Sequence, residues 1–121
     1  MSHAQAQRSV FAVPGSSEKM IGKALEFQVD QIFLDLEDAV APDAKAQARD
    51  LISSVRTKNF AAPIVSVRIN SLTTEWFADD LELLRSHVGA WIDSVILPKV
   101  ASVEDINFFS GELEKIEATF N

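Results

Sequence analysis

The chain repeats one pattern four times: a short apolar run, then a stretch whose apolar residues recur every three or four positions. The short runs read as strands and the periodic stretches as amphipathic helices. The first strand is Arg8–Val13, and its helix runs from about Ser17 to Phe27, where Met20, Ala24 and Phe27 share a face with Ile21 and Leu25. The second strand, Gln31–Leu34, leads to a helix that starts near Asp43, directly after the punctuation of Pro42. Ala48, Leu51, Ile52 and Val55 form its stripe. Pro63 opens a third strand, Ile64–Ile69, and one helix is expected from about Thr74, with Phe77, Leu81, Leu84 and Val88 stepping by four, three and four. The fourth strand, Ser94–Leu97, is closed by Pro98. Its helix begins after Ser102, with Asp105 three residues on as in a capping box. Ile106, Phe109, Leu113 and Ile116 make the cleanest stripe of the chain.

Strands that alternate with helices predict a parallel sheet with helices packed on it. The loops after the four strands carry VPGS, EDAVAP, RINSLT and PKVAS. Polar and special residues therefore gather at the C-terminal ends of the strands, where open α/β sheets and β/α barrels hold their active sites. The architecture by itself does not choose a chemistry.

The acidic run after the second strand comes closest to doing so. Asp35, Glu37 and Asp38 stand where an apolar strand runs out. Carboxylates in such a place are costly unless cations or hydrogen-bond donors receive them. They suit a hard, oxygen-loving cation such as magnesium. They equally suit a turn capped by Asp38 beside two solvated carboxylates.

Composition narrows the classes. Forty-seven per cent apolar residues over 121 positions is enough for a real core. No apolar run approaches the roughly 18 residues of a membrane span, and no secretory leader is visible. The absence of cysteine removes thiolate chemistry and disulfides and fits a cytoplasmic protein. A net charge of −7 argues against nucleic acid as the main partner. Neither histidine is placed for catalysis: His3 falls in a tail, residues 1–7, expected to be disordered, and His87 comes late in the third helix.

Four segments in order, RSVFAVPGSSEKMIGKAL, IFLDLEDAVAPDAKAQAR, VSVRIN and VILPKVASVEDI, resemble the citrate lyase beta-subunit-like branch of the HpcH/HpaI aldolase superfamily, which includes malyl-CoA and citramalyl-CoA lyases. The likeness runs from Arg8 to about Phe109. It implies a (β/α)8 barrel that uses Mg2+ to cleave or form a carbon–carbon bond beside a CoA thioester. The products would be an acyl-CoA and a 2-oxo acid. It implies further that Arg68 binds the oxo-acid carboxylate, and that Glu37 and Asp38 surround the magnesium without ligating it directly, with Lys99 in support. Pro14, Gly15 and Ser16 would meet an anion at a helix N-terminus, with Lys19 and Lys23 as the nearest cations for CoA phosphates. Lys45 and Arg49 match the family's Lys and Arg after EDAV, and would either bind the nucleotide or brace the Glu37/Asp38 cluster. Structural readings stand beside these: Arg68 paired with an acidic neighbour, Asp35 buried for structure, and lysines that are merely solvated.

A (β/α)8 barrel takes about 200–250 residues, so this chain amounts to four βα units, the N-terminal half of one. The family's direct magnesium ligands lie on later strands, and its C-terminal segment supplies a catalytic Asp. Ile116–Thr119 resembles the IET-type ligand motif, but Glu117 continues a helix and reads as a surface residue. A half barrel leaves open edges and an uncovered face, so a homo-oligomer is expected. Two alternatives remain at this point: a carboxylate- or CoA-binding module without catalysis, and a flavodoxin- or receiver-like Mg2+-binding domain.

Overall fold

Four parallel strands lie in the consecutive order β1-β2-β3-β4, and this order is the feature that decides the architecture. The computed structural model describes residues 8–55 and 59–120; the tail expected at residues 1–7, with His3, lies outside them. Along the chain run β1 (Val10–Pro14), α1 (Glu18–Ala24), β2 (Gln31–Asp35), a 3₁₀ turn (Pro42–Ala44) that feeds α2 (Lys45–Ser53), β3 (Ile64–Arg68), α3 (Phe77–Arg85), α4 (His87–Trp91), β4 (Ser94–Ile96) and α5 (Val103–Ala118). Parallel crossovers share one hand, so a sheet that always steps the same way puts its helices on one face. A flavodoxin-like sheet reverses direction after its second strand. The flavodoxin- or receiver-like alternative is therefore wrong, and a half barrel is what forms.

Strand parity sorts the side chains. Ile32, Leu34, Val65 and Val67 are completely buried and share a cluster with Ile21, Ala24, Ala48 and Ile52 from the helices. The opposite face carries Gln31, Phe33 and Asp35 beside Ile64, Ser66 and Arg68. There a polar ladder crosses three strands: Gln31 Nε2 donates to Ser66 Oγ at 2.8 Å, and the Ser66 and Ser94 hydroxyls lie 2.6 Å apart.

Two expectations need correction. The single third helix is divided at Ser86, whose extended backbone ends α3 and whose hydroxyl caps α4 through Val88 N. Val88 stays fully buried, so the stripe continues across the break. On α5 half of the capping box forms: Ser102 Oγ accepts from Asp105 N at 3.3 Å, while Asp105 Oδ2 accepts from Ala101 N at 3.0 Å. The stripe is covered at Phe109 and Ile116, but Ile106 is 53% exposed. Among the described residues no helix is long and apolar enough to cross a membrane.

Candidate functional site

β2 and β3 end level with each other, and their register pairs Asp35 with Arg68. Asp35 is wholly buried. Its Oδ1 accepts from Arg68 Nε at 2.8 Å and Glu37 N at 2.9 Å; its Oδ2 accepts from Arg68 Nη2 at 2.7 Å and Ala39 N at 3.0 Å. This is the bidentate fork that only arginine offers a carboxylate. Burial pushes the Asp35 carboxyl upward, yet the Arg68 bonds and the two backbone amides outweigh it and hold the group below its usual range. The same bond, against opposing desolvation, raises Arg68 above its ordinary value. The guanidinium carbon also stands 5.1 Å from the centre of the Phe33 ring, a cation–π contact on the same strand face. Asp35, and not Asp38, caps the turn.

Glu37 lies between two cations. Its Oε1 is 3.6 Å from Arg68 Nε, and its Oε2 is 2.7 Å from Lys99 Nζ. Lys99 reaches it from the loop after β4, and also lies 3.4 Å from Asp38 Oδ1. The Glu37 and Asp38 bonds hold Lys99 above its ordinary range. Lys99 is the one non-glycine among the described residues with positive φ, at 54°. That backbone state costs about 1–2 kcal/mol for an L-residue, and such outliers concentrate where a site must hold a side chain in place. Asp38 itself is 71% exposed.

The predicted roles of Lys45 and Arg49 resolve differently. Lys45 is nearly buried, and its Nζ donates to the carbonyls of Leu36, Glu37 and Val40 at 2.8, 2.8 and 3.0 Å, 4.9 Å from the Trp76 ring centre. Its three protons are engaged with the acidic loop, which is the bracing arrangement of the two readings open for it. Burial lowers its pKa in spite of Asp80 and Asp35 nearby. Arg49, one turn along α2, does not reach Glu37 or Asp38. It pairs with Asp80 Oδ1 at 3.2 Å and Asp79 Oδ2 at 3.5 Å. Asp80 is fully buried and accepts from Asn70 N and Nδ2 at 2.8 and 2.7 Å. Helix α2 therefore pins both loops that flank Arg68. Sequence reading missed Asp80 and Asn70. The signal was there, since Asp80 interrupts an apolar face three residues after Phe77 and four before Leu84.

At the end of β1 the backbone is already committed. Gly15 N donates to Asp35 O at 2.8 Å, Ser17 N to Pro14 O at 3.2 Å, and Ser17 Oγ caps α1 through Met20 N. The Pro14–Gly15–Ser16 turn thus ties β1 to the site, while Lys19 and Lys23 stand exposed on α1. A Cβ on Gly15 would lie 2.7 Å from Asp35 O and 2.9 Å from Ile52 Cδ1. Gly15→Ala is accordingly expected to cost about 1–3 kcal/mol, the range of overpacking, read as a lowered denaturant midpoint with unchanged slope; a midpoint equal to wild type would contradict this close approach.

A cleft of about 520 Å3 opens beside the cluster, lined among others by Glu37, Asp38, Lys45, Ser71, Thr73, Trp76 and Lys99. Among the described residues no group of three or more acidic, histidine or cysteine side chains is placed to hold a metal. Asp35 has both oxygens filled and Glu37 is paired on both sides, so only the exposed Asp38 is open to solvent. The donor set fits residues that receive hydrogen bonds from a cation's waters; it does not fit a complete ligand shell. Glu117 is exposed on α5, as a surface helical residue should be.

The family described as HpcH/HpaI aldolase/citrate lyase matches residues 8–120. Over 100 residues the chain is 41% identical to a (3S)-malyl-CoA thioesterase of Cereibacter sphaeroides (strain ATCC 17025 / ATH 2.4.3), covering 82% of this chain and 34% of that protein. Over 106 residues it is 38% identical to the L-malyl-CoA/beta-methylmalyl-CoA lyase of the same strain, covering 86% and 33%. Among solved structures, the citrate lyase beta subunit from M. tuberculosis complexed with oxaloacetate and magnesium superposes with a TM-score of 0.65 at 29% identity, over 84% of this chain and 42% of that one. The neighbouring folds are TIM-barrel-like, so the half-barrel expectation holds. The chain spans about a third of the length of the curated relatives it matches.

Proposed function

Because the chain belongs to the HpcH/HpaI aldolase/citrate lyase family, we propose that it forms the oxo-acid side of a magnesium-dependent lyase site. The reaction would cleave a 3-hydroxyacyl-CoA of the malyl, citramalyl or citryl type into an acyl-CoA and a 2-oxo acid. The observation that carries this reading is the Arg68–Asp35 fork at the mouth of the sheet, flanked by Glu37 and Lys99.

In this reading Arg68 is the group that touches substrate. Asp35 occupies Nε and one Nη2 proton, and Nη1 has no partner among the described residues, so donors remain for a carboxylate. Asp35 keeps the guanidinium charged and oriented before substrate arrives, which is the preorganisation that electrostatic catalysis requires. Glu37 and Asp38 would accept hydrogen bonds from water around a bound cation, and Lys99 balances Glu37 so that the mouth does not become strongly negative. Magnesium, when bound, would act as a Lewis acid on the oxo-acid carbonyl and carboxylate. Its direct ligands, and the group that moves the proton, are assigned to segments other than this one. The CoA arm would lie in the cleft beside Trp76, with the exposed Lys19 and Lys23 of α1 as candidate cations for its phosphates.

A thioesterase reading has one observation in its favour, the 41% identity to a malyl-CoA thioesterase. Both reactions need the same malyl end held, so Arg68 and Glu37 keep their roles in either. The products separate them: C–C cleavage yields an acyl-CoA and an oxo acid, whereas hydrolysis yields free CoA. The 121-residue chain alone is expected to turn over none of these thioesters, since its described residues supply no complete magnesium shell. The check is chromatographic detection of CoA species after incubation with malyl-, citramalyl- and citryl-CoA. Product above a blank, from protein of verified mass, would defeat the assignment of ligands elsewhere.

A further inference from the structure

Asn70 leaves the sheet with both kinds of its N–H group committed to one carboxylate. Pairing with the β4 strand runs one residue beyond β3, where Ile69 N donates to Ile96 O at 3.1 Å. The next amide turns away, and Asn70 N and Nδ2 both donate to Asp80 Oδ2, at 2.8 and 2.7 Å. Arg49 Nη1 holds the other oxygen of Asp80 at 3.2 Å. Asp80 is completely buried and Asn70 is 2% exposed, so neither side chain has room to turn.

A carboxylate paired with arginine only accepts hydrogen bonds. The Asn70 amide must therefore set its nitrogen toward Asp80, since the flipped form would bring two acceptors face to face. Its own oxygen, Oδ1, is left over and receives no hydrogen bond from any described residue. Asn70 is nevertheless one of the residues that line the cleft beside the acidic cluster. Its polar neighbours there are engaged: Lys45 with three carbonyls, Glu37 with Lys99, and Ser71 Oγ with Thr73 Oγ1 at 3.2 Å. Asn70 also follows Arg68 by two positions, about 7 Å along extended backbone, so one ligand of a few carbons can span both.

We infer that Asn70 Oδ1 is a fixed acceptor in this cleft, for a neutral O–H or N–H donor that an intact 3-hydroxyacyl-CoA carries and a 2-oxo acid lacks. The inference rests on the lyase reading above and adds to it a residue that tells substrate from product. Two groups of the substrate have this chemistry, the 3-hydroxyl and an amide N–H of the CoA arm. Where the 3-hydroxyl is the donor, its proton is gone once the carbonyl of the oxo acid has formed, and Asn70 releases that product. Asp80 and Arg49 are positioning residues in this scheme: they touch no substrate and act by keeping the amide from turning.

The test compares three ligands on isotopically labelled full chain by NMR titration: malyl-CoA, succinyl-CoA, which is the same thioester without the hydroxyl, and pyruvate, which has neither donor. Asn70→Ser keeps a hydroxyl to donate to Asp80 and removes the amide oxygen. It should weaken malyl-CoA roughly 3- to 10-fold, the scale of one neutral hydrogen bond, and leave pyruvate unchanged. Succinyl-CoA weakened equally assigns the donor to the CoA arm; succinyl-CoA unaffected assigns it to the 3-hydroxyl. In wild type, malyl-CoA should move the Asn70 Nδ2 protons further downfield than pyruvate does, because a donor on the amide oxygen polarises them; this readout stands even if the variant misfolds. Equal Nδ2 shifts with both ligands, an unchanged malyl-CoA affinity in folded Asn70→Ser, or a pyruvate affinity that falls alongside it overturns the inference and leaves Arg68 as the carboxylate receptor. A wild-type chain that binds neither malyl-CoA nor pyruvate defeats the lyase reading and this inference together.

Discussion

Asp35→Asn is expected to destabilise the fold by about 3–5 kcal/mol, the cost of leaving one member of a buried ion pair without its partner. Single domains hold only about 5–15 kcal/mol in total, so the loss would show as a large fall in denaturant midpoint. Three effects act together. Arg68 loses a bidentate acceptor; the turn at Glu37 and Ala39 loses a charged cap; and the amide adds donors where Nε and Nη2 already point. The pH dependence has a definite sign. Asp35 titrates below the ordinary 3.8 when folded, so its contribution is complete above that value. It is lost as pH falls further, because the unfolded chain takes up the proton first. Wild type should therefore lose stability steeply on acidification through and below this range, and the Asn variant should lack that component. Urea titrations at pH 7 and through pH 4–2 measure both. Equal midpoints at pH 7 would mean the fork contributes little.

The second large effect separates two functions within 4 Å of each other. Arg68→Lys keeps a positive charge but loses the planar fork, so oxo-acid binding should weaken by about 1–3 kcal/mol, the scale of charge-assisted hydrogen bonds. Glu37→Gln leaves Arg68 and its fork in place. It removes the charge that pairs with Lys99 and would receive a cation's waters, so the magnesium requirement should rise roughly 10- to 100-fold. In a longer polypeptide that carries this segment and turns over, the first change appears in the KM for the oxo acid and the second in magnesium activation curves. Kinetics in which both folded variants match wild type would reduce the cluster to structural ion pairs.

Much of this was legible before any coordinates. Strand and helix positions followed from periods of two and of three to four, and the acidic run was placed at a strand end where Arg68 also emerges. What parity could not supply was partnership across the sheet. The choice of Asp35 over Glu37 or Asp38 as the partner of Arg68 depends on the β2–β3 register, which brings residues 35 and 68 side by side. For Lys45 the sequence left binding and bracing open, because nothing in EDAVAPDAK shows that its ammonium folds back onto three carbonyls. The break at Ser86 was hidden for a related reason: Val88 keeps the spacing of the stripe even though the helix stops and restarts. Asp80 went unnamed because the stripe is traced through apolar positions alone, whereas this carboxylate is a buried acceptor with donors on neighbouring elements.

The proposed lyase site depends on Arg68 as the receptor of a 2-oxo acid at the mouth of the sheet. Titrating oxaloacetate and Mg2+ into isotopically labelled chain, followed by NMR, tests that most directly. Shifts should concentrate on the Arg68 side chain, the 35–40 loop, Asn70 and Lys99, and should be lost or strongly weakened in Arg68→Lys while the rest of the spectrum is kept. Saturable shifts elsewhere, or an unchanged titration in Arg68→Lys, would contradict it.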